Sequence, residues 1–198
     1  RLIDFDDLAR KGYPPKFFTG YAVSGQDRYA GYWEKADGPA WVARHGLTSS
    51  AYQQAFDQFV GQGYRPTWIS VYAVAGQDRY AAIWEKSGGP AWVARHHQSE
   101  QAFRDTCEDL AAQGYDLICA GAAAVGGKDL YAGLWEKNAV ASVAHHGMTA
   151  PTYQLKFEQL TSQGFQPRFV TGWAGEDPVD VVLRFTMQQQ TQANWCWA

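Results

Sequence analysis

The sequence lacks clusters of basic residues and long apolar runs. Its 17 basic and 20 acidic residues give a formal net charge of −3, and no run of Lys or Arg is present to follow a phosphate backbone or an anionic lipid surface. No stretch approaches the roughly 20 apolar residues that a helix needs to cross a bilayer. These absences predict that the chain has neither a nucleic-acid partner nor a membrane span.

Cysteine is also scarce. Cys107, Cys119 and Cys196 are too few, and odd in number, for a disulfide framework. The first two stand where a helix and a strand would bury a small apolar residue, so we expect them in the core. The N-terminus, RLIDFDDLAR, has neither the basic head nor the apolar segment of a signal peptide. Because the chain starts without Met and inside a repeat unit, we expect that an upstream segment has been removed, which leaves secretion open.

An internal repeat dominates what is present. At a shift of 51 positions, GYPPKFFTGYAVSGQDRYAGYWEK aligns with GYRPTWISVYAVAGQDRYAAIWEK, and GYDLICAGAAAVGGKDLYAGLWEK is a third copy. A fourth copy begins at GFQPRFVTGW and reaches VDVVLRF, where Phe185 falls in the column of Trp33, Trp84 and Trp135. Self-similarity at a fixed period indicates one structural unit that is copied along the chain.

Within each copy the hydrophobic period changes from that of a helix to that of a strand. In the second copy Thr48 or Ser49 can cap a helix, and Gly63 follows its end; Ser99 and Thr149 start the same pattern in the next two copies. Three strands follow in the second copy, over Thr67 to Val74, RYAAIWEK and AWVARH, separated by a polar turn and by Gly-Gly-Pro. This pattern predicts one helix plus a three-stranded antiparallel meander per unit.

The fold class that follows is α+β, built from tandem repeats of about 50 residues. The predicted units are about 1–47, 48–98, 99–148 and 149–186, and residues 187–198 lie outside the repeat. A short helix and a lone meander cannot bury their apolar faces in isolation, so neighbouring units must cover one another. The first unit starts at its helix and the last ends after its second strand. A closed propeller-like ring and a short solenoid both fit this pattern.

Two repeated columns are expected to be structural. In each Trp-Glu-Lys motif the tryptophan places a large ring on one face of a strand and the glutamate places a charge on the other, which is typical of a half-buried strand. The histidines of the third strand are expected to bond the backbone of the cap that follows. None has a carboxylate neighbour of its own to orient it as a metal ligand, so we predict no metal and no cofactor. These histidines are His45, His96 and His146.

The hairpin tips are the candidate ligand-binding sites. They combine an acid, an amide and an aromatic ring, which are the groups that glycan-binding loops use, although the same residues are also ordinary turn chemistry. The candidates are Gln26, Asp27 and Tyr29 in the first copy, Gln77, Asp78 and Tyr80 in the second, and Asp129 and Tyr131 in the third.

The words YAGYWEK, WVARHGLT and YQQAFDQFVGQGYRP resemble the tandem-repeat modules of secreted bacterial and fungal proteins. These include the region that precedes the serine-peptidase domain of fungal polyglycine hydrolases. The likeness covers residues 1 to about 186. It implies a noncatalytic accessory module of a secreted or extracellular protein, with a glycan or a protein substrate as its possible partner.

The tail, MQQQTQANWCWA, differs in composition from the repeats and resembles the opening of a papain-like cysteine peptidase of the bacterial avirulence-effector type. The resemblance implies that Cys196 is the nucleophile and that the Gln190 amide stabilises the oxyanion. No His or Asn follows Cys196, so the thiol lacks a histidine base. We therefore expect this chain alone to be inactive and a downstream peptidase domain to be its partner.

Three hypotheses for function remain open. The first is a noncatalytic module with a targeting, substrate-binding or propeptide role in a secreted papain-like cysteine peptidase. The second is a stand-alone carbohydrate-binding or lectin-like repeat protein that uses the hairpin tips. The third is a self-assembling structural protein, because an incomplete fourth unit leaves an unpaired strand edge.

Overall fold

A computed structural model describes residues 7–8, 11–137, 143–173 and 181–182 of the chain. In chain order the elements with defined bounds are β1 (Pro15–Val23), β2 (Gln26–Trp33), β3 (Trp41–Leu47), α1 (Ser49–Gly61), β4 (Arg65–Val74), β5 (Gln77–Glu85), β6 (Trp92–Ser99), α2 (Glu100–Ala112), β7 (Asp116–Val125), β8 (Lys128–Glu136), β9 (His145–His146), α3 (Ala150–Ser162) and β10 (Val181–Val182). Both element types alternate along the chain, so the predicted α+β class is confirmed.

The helices start at the predicted caps. The hydroxyl of Thr48 accepts a hydrogen bond from a backbone N–H at the start of α1, and Ser99 and Thr149 do the same for α2 and α3. Such a bond satisfies one of the N–H groups that a helix start leaves without an intrahelical partner. At the other end of α1, Gly63 has a φ of +84°, which lets the chain leave the helix without strain.

The strands pair in four antiparallel sheets. Sheet 1 is β1-β2, sheet 2 is β3-β5-β4, sheet 3 is β6-β8-β7 and sheet 4 is β10-β9. Sheets 2 and 3 have the same strand order and each carries one helix, α1 or α2, in the connection between its outer strands. The repeated sequence is therefore a repeated structure.

The predicted meander is wrong. A meander would pair β5 with the following strand β6, whereas β5 pairs with β3, which precedes helix α1, and β6 joins sheet 3. Because β3 and β4 both run antiparallel to β5, they are parallel to each other. Parallel strands need a long crossover connection, which α1 supplies, and β6 must then cross to the next sheet because both edges of β5 are taken.

Sheets 2 and 3 each have a helix face, which contacts the sheet's own helix, and an opposite back face, and the equivalent faces of sheet 1 take the same names. On the helix face of sheet 2, Tyr80 and Trp84 pack against Tyr52 and Phe59 of α1. Trp84 and its equivalent Trp135 are fully buried, at 0% exposure. The predicted burial of the WEK tryptophans is confirmed for these two copies.

Neighbouring sheets stack with the helix face of one against the back face of the next. The helix face of sheet 2 shares a hydrophobic cluster with Cys119 and Leu134 from the back face of sheet 3. In the same way Phe18 of sheet 1 packs with Tyr72 and Ile83 on the back face of sheet 2. The units cover one another's apolar surface, as expected for repeats that are too small to fold alone.

Hydrogen bonds also join equivalent positions of successive copies. The Trp68 indole N–H donates to the Phe18 carbonyl at 2.8 Å, and the Cys119 thiol donates to the Ile69 carbonyl at 3.1 Å. Both pairs are 50 residues apart in sequence. The first strands of the copies therefore meet along one line through the stack.

The back face of sheet 1 is open. Tyr21 and Tyr32 are 45% and 49% exposed, whereas their equivalents in sheet 2, Tyr72 and Ile83, are 3% and 0% exposed. The reason is that sheet 1 covers the back face of sheet 2, but no sheet within the described ranges covers that of sheet 1.

The predicted closed ring is not seen in the part of the chain that the structure describes. The Phe169 ring of the fourth copy does lie 6.0 Å from the Trp68 ring of sheet 2, so the fourth copy reaches the line of first strands. The N-terminal helix, the end of the fourth copy with Phe185, and the tail with Gln190 and Cys196 fall outside the described residues. None of the described helices is long and apolar enough to span a membrane.

Candidate binding site at the hairpin tips

Tight turns place the predicted site residues. Ser24 and Gly25 connect β1 to β2 with φ values of +52° and +74°, and Ala75 and Gly76 connect β4 to β5 with +50° and +72°. Two successive positive φ angles are typical of the two-residue hairpin turn that matches strand twist. The acid that follows each turn therefore lies at the same end of the stack, next to the strand that enters the following sheet.

At the first junction, between sheets 1 and 2, the tip is bonded internally. The Tyr29 hydroxyl donates to the Asp27 carboxylate and accepts from the Tyr72 hydroxyl at 3.0 Å, and the Gly46 N–H donates to Tyr72 at 3.0 Å. The hydrogen bond from Tyr29 lowers the pKa of Asp27. The Tyr29 ring also packs against His45, with 4.5 Å between centroids. The Tyr29 side chain therefore joins the two sheets, and Asp27 holds its hydroxyl in place.

The third junction, between sheet 3 and the fourth copy, is closed in a related way. The Trp173 indole N–H donates to Asp129 Oδ2 at 3.0 Å, and its ring meets Tyr131 edge-on at 5.8 Å. His146 packs on Tyr131 at 5.3 Å, and burial lowers the pKa of this imidazole. By repeat register Trp173 occupies the position of Tyr72, so an aromatic ring from the same column reaches the tip at both junctions.

The second junction, between sheets 2 and 3, departs from this pattern. The residue in the column of Tyr72 and Trp173 is Ala123, whose methyl group makes no hydrogen bond. Asp78 is instead 2.9 Å from Nδ1 of His97, which stands where the other copies have glycine and which has a φ of +54°. A left-handed conformation is uncommon for a residue other than glycine. The histidine in this glycine column brings an imidazole from β6 of sheet 3 to the hairpin tip of sheet 2.

Ionisation of the second tip follows from these contacts. Burial disfavours the charged form of Asp78, but hydrogen bonds from Tyr80 and His97 outweigh it and lower the pKa of the carboxyl. Burial also lowers the pKa of His96, whose ring packs against Tyr52 at 4.7 Å and Tyr80 at 5.3 Å. At neutral pH the tip therefore holds a carboxylate beside an uncharged His96.

An open groove lies at this junction and encloses about 690 Å³. One wall is the first turn of α1, with Ser49, Ser50 and Gln53, and the other is the hairpin tip, with Gln77, Asp78 and Arg79. Thr48, Gly76, His96 and Val125 also line the groove. Small-molecule sites measure roughly 300–1,000 Å³, and the volume of this solvent-open groove lies in that range.

The structure places the predicted ligand-binding residues in two classes. Tyr80 and Tyr131 are 0% and 3% exposed and serve as core rings, whereas Tyr29 is 37% exposed. Gln26 and Gln77 each accept a hydrogen bond from the arginine two residues later, at 2.9 and 2.8 Å. Of the predicted residues, only Gln77 and Asp78 line the groove.

Sequence reasoning did not find Ser50, Gln53 or His97. The signals were present as departures from the repeat, with His97 in a glycine column and Ala123 in an aromatic one. The histidine column also differs from the expectation for His96, which faces the backbone of Ser49 in the preceding copy rather than the cap that follows it.

The described residues offer no metal site and no reactive thiol. They contain no group of three or more His, Cys, Asp or Glu side chains with suitable geometry for a metal ion. Cys107 and Cys119 are buried, and burial raises the pKa of each thiol to about 12. A thiol that stays protonated at neutral pH is a poor nucleophile.

Comparison with known families agrees with this architecture. The model of a family described as "Polyglycine hydrolase-like, structural repeat" matches four successive segments, residues 4–36, 38–87, 89–138 and 139–187. The second segment contains β3, α1, β4 and β5, which together form sheet 2 and its helix. No curated protein matches the chain significantly.

Proposed function

The chain belongs to the family of polyglycine hydrolase-like structural repeats, and from this premise we propose that it is the noncatalytic, substrate-binding module of a secreted papain-like cysteine peptidase. The repeats hold the substrate or the surface that carries it, and a domain that follows the NWCWA segment performs the hydrolysis. Such a module needs a rigid body and an accessible binding surface, both of which stacked sheets with clustered hairpin tips provide.

The noncatalytic assignment rests on what the carboxylates and thiols of the described residues contact. Asp129 accepts a hydrogen bond across a sheet junction, and Asp27 accepts one from Tyr29 of its own strand, whose hydroxyl is bonded to Tyr72 of the next sheet. The Cys107 and Cys119 thiols are buried. A catalytic acid or nucleophile must be able to reach a substrate. These groups instead support the stack.

The peptidase assignment is supported by the resemblance of the NWCWA segment, with Cys196 as nucleophile and Gln190 as oxyanion donor. The test uses the full open reading frame. We expect Cys196→Ala to abolish cleavage of both a short fluorogenic peptide and a protein substrate. Removal of residues 1–186 should spare peptide cleavage and reduce protein cleavage at least tenfold.

Either of two results would contradict the proposal. A gene product that hydrolyses peptides equally well with alanine at position 196 would remove the peptidase assignment. Equal protein cleavage with and without the repeats would remove the substrate-binding role.

Self-assembly is a second candidate, which the open back face of sheet 1 favours. Tyr21 and Tyr32 are 45% and 49% exposed, although their equivalents in sheets 2 and 3 are all buried, at 3% exposure or less. Those equivalents are Tyr72, Ala123, Ile83 and Leu134. A second copy that covers this face would remove large apolar side chains from water. Light scattering over a hundredfold range of concentration tests it, and a constant monomer mass would dismiss it.

A further inference from the structure

We propose that the groove at the second junction, between the first turn of α1 and the hairpin tip of sheet 2, is a saccharide-binding site. The inference rests on the proposed binding function, because it names the class of ligand that the module holds. It concerns one junction only, since the first and third are closed by the chain's own rings.

The tip at this junction differs from its neighbours. Tyr72 and Trp173 bring a ring with an O–H or N–H group to the tip of the preceding sheet, and each hydrogen bonds there at 3.0 Å. At the second junction Ala123 is buried, at 2% exposure, and brings no donor, and Asp78 contacts His97 instead. The groove of about 690 Å³ lies beside this tip, toward the first turn of α1, so a bound ligand can meet the side chains of both.

The lining favours a polyhydroxylated ligand. Hydroxyl, carboxamide, carboxylate and guanidinium groups from Ser50, Gln53, Gln77, Asp78 and Arg79 face one another across the groove. Sugar hydroxyls donate and accept at once, so they pair well with a carboxylate, which accepts, and with carboxamides, which both donate and accept. Val125 and the His96 ring offer a small apolar surface for the C–H groups of a sugar ring.

Other ligand classes fit less well. An anion would be repelled by the ionised Asp78 carboxylate that lines the groove. The aromatic side chain of a partner protein would need a lining of apolar side chains, and Val125 is the only aliphatic one that lines the groove among the described residues. A lining of polar side chains that also exposes apolar atoms favours a sugar, whose hydroxyl and C–H groups need both.

The strained backbone at His97 supports a functional role. This residue holds a φ of +54° where Gly46 and Gly147 hold +66° and +70°, and its ring is near both Asp78 at 2.9 Å and the Tyr80 hydroxyl at 3.5 Å. Backbone strain at a residue other than glycine is typical of functional sites. Here it fixes the Asp78 carboxylate before a ligand arrives, which reduces the ordering cost of binding.

The experiment measures retention of the whole chain on immobilised chito-, cello-, xylo- and manno-oligosaccharides, followed by calorimetric titration with the soluble oligosaccharide that is retained. We expect retention on at least one of the four. The double variant Gln53→Ala with Gln77→Ala should weaken binding roughly tenfold or more, because it removes two hydrogen-bonding amides.

Two further variants make the test specific. Gln26→Ala removes the matched amide of the first tip, which also bonds its arginine, and should leave affinity within twofold. Ser50→Trp places a ring in the groove from an exposed helix position and should abolish binding with an unchanged melting temperature.

Retention on none of the four oligosaccharides, or equal binding by the wild type and the Gln53/Gln77 variant, would overturn the inference. The inference would also be overturned if Gln26→Ala abolished binding of the retained oligosaccharide and Gln77→Ala did not, because the site would then lie at the first tip. The same experiments tell a failure of the saccharide assignment apart from a failure of the proposed module function. If the repeats still raise protein cleavage tenfold in the full gene product while no sugar binds, only the saccharide assignment is wrong.

Discussion

The ion pair between Arg65 and Glu136 offers the sharpest test of how the sheets are joined. Arg65 begins β4 in sheet 2, Glu136 ends β8 in sheet 3, and Arg65 also donates to the Gly88 carbonyl at 3.3 Å. The side chains are only 9% and 19% exposed. The equivalent positions of the other copies hold Pro14, Asp116 and Gln166, so this pair occurs at one junction only.

The expected cost follows from burial. Breaking a fully buried pair by removing one partner costs about 3–5 kcal/mol, because the remaining charge is left unpaired. Glu136 keeps some contact with solvent, so we expect Arg65→Met to lower the free energy of unfolding by about 2–3 kcal/mol. The double variant Arg65→Met with Glu136→Leu should recover most of this loss, since no unpaired charge remains.

Urea denaturation of the two single variants and the double variant forms a double-mutant cycle. The control is Arg104→Met, which breaks the i,i+4 pair between Arg104 and Glu100, whose side chains are 34% and 40% exposed. That change should cost about 0.5 kcal/mol or less. Equal small effects at both sites, or a double variant that is less stable than either single one, would refute the argument that burial sets the strength of the junction.

Three other predictions concern packing, protonation and thiol access. Gly20→Ala should lower stability by about 1–3 kcal/mol in thermal melts, because the new methyl group would overlap the Tyr72 ring, whereas Gly38→Ala, which has open space, should be neutral. Burial lowers the pKa of His96 and His146, so the unfolded chain binds more protons than the folded one below about pH 6.5 and stability should fall as pH drops through that range. The double variant His96→Gln with His146→Gln should flatten this pH dependence, and an unchanged slope would assign it to other groups. A thiol reagent at pH 8 should modify at most one cysteine of the folded chain and three after unfolding, since Cys107 and Cys119 are buried; rapid labelling of two would contradict their burial.

The local elements were predictable because their signals are local. The caps at Thr48, Ser99 and Thr149 accept the expected hydrogen bonds, and the buried stripe of α2 contains Phe103, Cys107 and Leu110. Side-chain hydroxyls at a helix start and apolar residues at helical spacing act within a few residues of chain.

The strand pairing was not predictable for a reason that is specific to repeats. In a tandem array the order helix, strand, strand, strand is the same pattern as strand, helix, strand, strand, shifted by one element. Whether the AWVARH strand joins the hairpin before it or the one after it depends on the free edge of β5, which is a tertiary property. The parallel relation of β3 and β4 across α1 decides it in favour of the later hairpin.

The site was predictable in part for a similar reason. Asp27 and Tyr29 were recognised as neighbours because two residues separate them, and the structure bonds them to each other. The contact between Asp78 and His97 joins residues that are 19 positions apart and lie in different sheets, so no local pattern predicts it. Its one trace in the sequence is a histidine in a column where the other copies have glycine.

The assignment of β3 and β6 to the sheets that follow them has a consequence for how such a chain can grow or shrink. A block of DNA that encodes residues 38–87 specifies one whole sheet with its own helix, and its ends fall in Gly- and Pro-containing connections outside any strand. Duplication or loss of that block would add or remove one complete layer and leave every other sheet with its full complement of strands. Recombination at those connections can therefore change the number of layers without producing a protein in which a sheet lacks a strand.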